Sequence, residues 1–153
     1  MMADFYQAIQ IVLKNEGGYS NDPADPGGET NFGISKASYP NVDIRNLTVA
    51  EATAIYLQDY WLFGGIIDQS VADKLFDAYV NMRHAAIKIA QRIAGAVADG
   101  SYGPHTEAAI NGMQSQTFLC AFRAGLAQHY RDIVAANPAE AKFLKDWLSR
   151  AAQ

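Results

Sequence analysis

The sequence predicts a mainly α fold, a bundle of about six to seven helices with one loop or short hairpin after the first. Three observations predict it. Apolar residues recur at helical spacing over most of the 153 residues. Ser, Thr, Asp and Asn stand before those stretches, and Gly or Pro follows them, as helix starts and stops require. One long stretch, 17–31, has no apolar period and concentrates Gly, Pro and Asp, so it reads as a loop.

Taken in order, Asp4 suits the N-cap of a helix running to about Glu16, with Phe5, Ile9, Val12 and Leu13 on its apolar stripe. Continuing that stripe brings Glu16 to the end of the buried face. Gly17-Gly18 then ends the helix. Asn31-Phe32-Gly33-Ile34-Ser35 suits a short hairpin, and 36–47 gives only weak signals. Thr48-Val49-Ala50-Glu51 is a capping box opening a helix through Ile55, Tyr56, Tyr60 and Phe63, closed by Gly64-Gly65. Ser70 is the expected cap of the next helix, whose inward face is Leu75, Phe76, Tyr79 and Val80 and whose period sets Asp77 beside Asn81. A helix over 85–98 carries Ile87, Ala90, Ile93, Ala94 and Val97 on one face and stops at Asp99-Gly100. Pro104 sits at a first helical position, where its missing N–H costs nothing. Ser115 starts a long helix with the stripe Phe118, Phe122, Leu126, His129 and Ile133. Asn137-Pro138-Ala139-Glu140 caps a last helix bearing Phe143, Leu144, Trp147 and Leu148.

Composition narrows the function. Half the residues are hydrophobic and 18% are charged, which suits a globular chain. No apolar run approaches the ~20 residues of a membrane span. The N-terminus lacks the order of a signal peptide, so synthesis in the cytoplasm is expected. The lone Cys120 cannot form an intrachain disulfide and is expected to be a small buried hydrophobe. His84, His105 and His129 are scattered, which argues against a metal site, and no cofactor is expected. Net charge is −4, divided as −6 over 1–85 and +2 over 86–153. No basic cluster interleaved with aromatics supports nucleic-acid binding, and nothing demands more than a monomer.

On pattern alone, a carboxyl group at a helix end, facing a rigid loop with further carboxylates, suits general-acid chemistry. It is equally compatible with an ordinary surface glutamate before a turn. The residues Glu16-Gly17-Gly18-Tyr19, followed by Asn21-Asp22-Pro23-Ala24-Asp25-Pro26-Gly27-Gly28-Glu29-Thr30-Asn31-Phe32-Gly33-Ile34-Ser35, resemble the signature of glycoside hydrolase family 108. Phe76-Asp77-Ala78-Tyr79-Val80-Asn81 fits the family's later helix, and Phe143 to Arg150 is close to its usual C-terminus. Where the family continues with small residues, Ser-Gly, this chain has Met82-Arg83-His84, which puts in doubt a tight backbone contact at that corner. Asp99-Gly100-Ser101-Tyr102-Gly103-Pro104-His105-Thr106 resembles a turn of small helical peptidoglycan-binding regions, although a helix–turn–helix connector explains the same residues.

The resemblance implies a lysozyme-like helical fold and cleavage of the sugar backbone of peptidoglycan, with Glu16 as the catalytic acid. It divides the chain into a catalytic region, 1–85, and a helical peptidoglycan-binding-like region, 86–153, sharing one core. By analogy with phage lysozymes, which place an aspartate nine and a threonine fifteen residues after the acid, Asp25 would orient a water. Thr30 falls one residue short of its spacing and would help hold that water. Asp22, before proline, is as easily a turn residue, and Glu29 beside Thr30 stays open as a further carboxylate. Tyr19, Asp22, Asn31, Tyr60 and Trp61 are the candidate sugar contacts, with the core as the competing place for Tyr60 and Trp61. The implied partner is the peptidoglycan glycan strand, reached after release by a holin or another export route. Two alternatives remain beside an endolysin-type muramidase. One is a lytic transglycosylase using Glu16 alone, and the other is a non-enzymatic wall-binding or secretion-assisting protein.

Overall fold

The structure is a computed structural model that describes residues 2–153. Among these residues are seven α-helices, one 3-10 helix and a single two-stranded ladder, so the fold is mainly α as the sequence predicts. Two compact units divide the chain. One is Phe5–Trp61; the other joins the N-terminal segment up to Asp4 to Leu62–Gln153.

In the first unit, α1 (Phe5–Glu16) buries Phe5, Ala8, Ile9 and Val12. The stretch after it folds back on itself. Ser20 pairs with Thr30, and β1 (Thr30–Asn31) pairs with β2 (Ile34–Ser35) in the antiparallel register Thr30↔Ser35 and Asn31↔Ile34. The expected hairpin is therefore present, with Phe32 and Gly33 at its tip. Both have positive φ, 51° and 78°, the requirement of the two-residue turn whose twist matches that of the strands. The capping box forms as read: Thr48 accepts from the Glu51 N–H, and Glu51 accepts from the Thr48 N–H at 2.8 Å. The helix it opens, α2 (Val49–Asp59), is shorter than expected. The N–H groups of Tyr60 and Trp61 both turn back to the Tyr56 carbonyl, at 3.1 Å each, which ends the helix before Phe63.

In the second unit, α3 (Gln69–Met82) is buried on every side from Val71 to Tyr79. Its cap is Asp68, which accepts from the Val71 N–H, and not Ser70. A carboxylate set directly before the first turn outcompetes a hydroxyl two residues inside it. Because α3 has no solvent face, its charged residues must find partners. Arg150 grips Asp77 with two N–H groups, at 2.8 and 3.1 Å, and the Lys74 ammonium donates to the Arg150 carbonyl at 2.8 Å. Tyr130 donates to Asn81. The pair Asp77 and Asn81, adjacent on the helix by sequence period, thus ties α3 to α7 (Leu144–Ala152) and α6 (Ser115–Ala136).

Arg83 breaks α3 from α4 (His84–Ala94) at φ 53° and ψ −128°, a conformation suited to glycine. This is the corner at which the related pattern has small residues. The helix expected to reach residue 98 stops at Ala94, because Gly95 takes the left-handed conformation at φ 74° and its N–H caps the preceding turn. Val97 is consequently exposed and not part of an inward face. After α5 (Pro104–Asn111), the buried stripe of α6 is Phe118, Leu119, Phe122, Leu126 and Tyr130. His129 is only half-buried, since the strict four-residue step after Leu126 brings Tyr130 inward instead. Cys120 is exposed, which corrects the expectation of a buried thiol: Phe118, Leu119 and Phe122 take the inward bearings on either side of it. The segment Pro138–Phe143 is a 3-10 turn without a side-chain cap, and the α-helix starts only at Leu144. No helix among the described residues is long and apolar enough to cross a membrane.

Candidate active site

The chemistry-bearing loop lies within the first unit, and Glu16 anchors it. The Glu16 side chain is half-buried at the last position of α1, where Gly17 leaves the helix at φ 73°. It lies over the hairpin tip. A Cβ added to Gly33 would come 2.8 Å from Glu16 Cγ, 2.9 Å from Glu16 Oε2 and 2.6 Å from the Tyr56 hydroxyl oxygen. Only a residue without a side chain lets the tip pass this close beneath the carboxylate. Tyr56, almost fully buried on α2, fixes the tip from beneath by donating to the Phe32 carbonyl at 2.8 Å. Glu16 is thus positioned by three elements: the end of α1, the tip and α2.

The loop carboxylates are organised by their own backbone. Asp22 Oδ1 accepts from the Ala24 N–H at 2.9 Å, and Asp25 Oδ1 accepts from the Gly27 N–H at 2.8 Å. Each forms an Asx turn, the role foreseen for Asp22 and not for Asp25. Both residues are exposed, with one carboxylate oxygen each committed to the turn. Thr30 is half-buried, its backbone exchanging hydrogen bonds with Ser20 at 2.8 Å in both directions, so it sits in the middle of the small ladder.

The remaining candidates divide. Tyr19 is exposed and donates to Glu29 Oε1 at 2.8 Å, with the Arg45 guanidinium 5.5 Å from its ring centroid. The Tyr19 hydroxyl and the charges around Arg45 hold its guanidinium more firmly protonated than usual. Asn31 turns inward: it is buried and donates to the Ile44 carbonyl at 3.1 Å, fastening the ladder to the 36–47 segment. Tyr60 packs edge-on against Tyr56 at 5.1 Å, and Trp61 edge-on against Phe5 at 5.5 Å. Both are half-buried and serve packing within the unit. Tyr39 donates to Asp59 at 2.7 Å, and burial with that carboxylate raises its phenol well above the usual range.

Tyr56, Gly33 and Arg45 are the residues that sequence reading missed as parts of the site. Tyr56 had a signal only as an apolar helix position, and Arg45 lies in the stretch with weak signals. Gly33 belongs to the expected hairpin, and its closeness to Glu16 follows from tertiary packing alone. Among the described residues no three His, Cys, Asp or Glu side chains cluster so as to hold a metal ion.

A comparison with curated proteins finds no match. The solved structure of SagA from Brucella abortus is similar over 97% of this chain and 89% of that one, at a TM-score of 0.79 and 28% identity. The family model described as glycosyl hydrolase 108 matches residues 9–82, and that described as a predicted peptidoglycan domain matches residues 85–152. The Asp77–Arg150 ion pair joins these two matched stretches inside one compact unit. The chain is therefore a glycosyl hydrolase 108 protein through residues 9–82, carrying a predicted peptidoglycan domain through residues 85–152.

Proposed function

We propose that this peptidoglycan hydrolase is an N-acetylmuramidase of the endolysin type, cleaving the β-1,4 bond between N-acetylmuramic acid and N-acetylglucosamine with Glu16 as general acid. The observation that carries the reading is the half-buried Glu16 carboxyl at the end of α1, seated over Gly33 beside the Tyr56 hydroxyl. Such a reaction needs a proton for the departing oxygen and support for an oxocarbenium-like centre. Glu16 supplies the first. Asp25, exposed and with one oxygen outside its Asx turn, is the residue to orient a water, with Thr30 beside the ladder to help hold it. Tyr19 is the exposed ring of the signature that a sugar can meet. As an endolysin, the protein would reach the wall through a holin or another route out of the cytoplasm.

A second reading draws on a specific observation. Asp22 and Asp25 each spend an oxygen on the loop backbone, which suits a lytic transglycosylase that uses one glutamate as both acid and base. Digestion of purified peptidoglycan with the wild type and Glu16→Gln, followed by mass spectrometry of the products, tests all readings. Reducing ends from the wild type and their loss in Glu16→Gln are expected. Products with 1,6-anhydro ends would replace the muramidase by the transglycosylase. Undiminished digestion by Glu16→Gln would remove Glu16 from the chemistry, and no digestion by the wild type would leave a wall-binding or secretion-assisting role.

A further inference from the structure

The segment joining α4 to α5 encloses a cleft that the hydrolytic chemistry does not use. Its volume is about 670 Å³, and every residue lining it falls between Gln91 and Ala109. That size is ordinary for a site holding a small organic ligand. The floor is a built polar frame. Gln91, only 1% exposed, reaches Asp99 Oδ1 at 2.8 Å, the Ser101 carbonyl at 3.0 Å and Thr106 Oγ1 at 3.0 Å through its amide nitrogen. Its oxygen accepts from the Gly100 N–H at 2.9 Å. One buried side chain thereby holds Asp99 and the first turn of α5 at a fixed, short separation.

Three kinds of surface meet above that frame. Asp99 is exposed, and the Ser101 N–H and the Gln91 amide, with Lys88 adding a weaker field, hold its carboxyl below the usual range. Both donors go to Oδ1, so Oδ2 has no hydrogen-bond partner among the described residues. Beside it, α5 begins at Pro104 without a side-chain cap. The Glu107 N–H is taken by the Gly103 carbonyl, while the His105 and Thr106 N–H groups open the turn with no acceptor among the described residues. Ala96, Ala109 and Val97, the last 80% exposed, add an apolar wall to the same cleft.

A carboxylate oxygen and free amide N–H groups held close together by Gln91, with an aliphatic wall in the same cleft, complement an aliphatic chain that ends in both an ammonium and a carboxylate. The sugars of the glycan strand are N-acetylated and offer no such pair of charges. The diamino acid of an unlinked peptide stem offers both. We infer that this cleft binds the peptide stem of peptidoglycan at its diamino acid, with the ammonium on Asp99 and a carboxylate at the start of α5. The choice of polymer rests on the predicted peptidoglycan domain over 85–152 and on the wall-hydrolase reading.

Calorimetry on the full chain carrying Glu16→Gln tests this without hydrolysis of the probes. The probes are N-acetylmuramyl tripeptide ending in diaminopimelate, the N-acetylmuramyl dipeptide that lacks it, and neutral N-acetylchitotetraose. The tripeptide is expected to bind at least ten-fold more tightly than the dipeptide. Asp99→Asn keeps the Oδ1 acceptor for Gln91 and Ser101 and is expected to weaken the tripeptide about ten-fold, the scale of one charge-assisted contact. Ala109→Trp, placed on the apolar wall away from the Gln91 frame, is expected to abolish binding with the melting temperature preserved. Equal affinity for tripeptide and dipeptide, indifference to both substitutions, or displacement of the tripeptide by chitotetraose would overturn the inference. If Glu16→Gln abolishes digestion while the cleft fails these tests, the hydrolase reading stands alone. Binding at the cleft with digestion intact in Glu16→Gln would leave the cleft standing and the assignment of Glu16 fallen.

Discussion

Gly33→Ala probes the contact on which the position of Glu16 depends, and Gly28→Ala is its natural control. Both glycines have positive φ, 78° and 69°, but a Cβ on Gly28 meets nothing within 4 Å, whereas one on Gly33 meets Tyr56 and Glu16. The shared backbone cost of an L side chain in this conformation is about 1–2 kcal/mol, offset by about 0.4–1 kcal/mol from the stiffer unfolded chain. Gly28→Ala should therefore lose roughly 1 kcal/mol or less. Gly33→Ala adds a collision. Approaches of 2.6 and 2.9 Å must open to at least 3.4 Å, moving the Tyr56 hydroxyl and the Glu16 carboxylate by roughly half to one ångström. Overpacking of this kind costs about 1–3 kcal/mol, and loss of the Tyr56–Phe32 hydrogen bond about 1 kcal/mol more. We expect Gly33→Ala to be destabilised by about 2–5 kcal/mol in urea unfolding, the shared backbone cost included. In release of reducing ends from peptidoglycan, measured where both variants remain folded, it should be about 10²-fold slower, the scale of a one-ångström misplacement of a reacting group. Gly28→Ala should clear the wall at close to the wild-type rate. If the two variants were equally active, the seat of Glu16 over the hairpin tip would have no part in catalysis, and the reasoning would be refuted.

Other perturbations test the second unit. Arg83→Gly relieves a conformation that suits glycine at φ 53° and should raise stability by about 1 kcal/mol in thermal unfolding, even though it removes the guanidinium stacked 5.0 Å from the Tyr79 ring centroid; a lowered melting temperature would mean that the stacking outweighs the strain. Asp77→Ala leaves Arg150 without its carboxylate partner and should cost about 3–5 kcal/mol, with the C-terminal helix losing hydrogen-exchange protection first. Lys74 is pushed down from 10.5 to about 8, by burial first, with Asp77 opposing that shift. The folded state binds fewer protons than the unfolded one between these values, so this group makes stability rise as pH goes from about 8 to 10.5, its full penalty of roughly 3 kcal/mol being present below that window. Lys74→Met should flatten that slope, and urea midpoints that climb equally in both proteins across the window would contradict the assignment.

Much of the fold is legible because helix signals are local. The Thr48–Glu51 capping box, Pro104 at the start of α5 and the apolar stripe of α1 each act within two turns of chain, and each stands where the sequence puts it. Helix ends were less legible because neighbouring signals compete. Asp68 lies closer to the first turn than Ser70, and Gly95 ends a helix whose apolar period continues to Val97. The inward side of α6 was misread at His129 because a stripe of period 3.6 allows steps of three or four, and packing chooses between them.

By itself the sequence determined the mainly α class, the single loop that carries acids and hydroxyls, and a carboxyl group at the last position of the first helix. Those depend on periodicity and on which residues can turn the backbone. Only the tertiary structure decided that Gly33 and Tyr56 seat Glu16, that Asn31 faces inward, and that Asp77 and Asn81 reach α7 and α6. It also decided that Gln91 frames a cleft with residues eight to fifteen positions away. Such contacts join residues whose local preferences are indifferent to one another. They are selected by what can be buried together with every polar group satisfied, a condition that exists only once the chain has closed on itself.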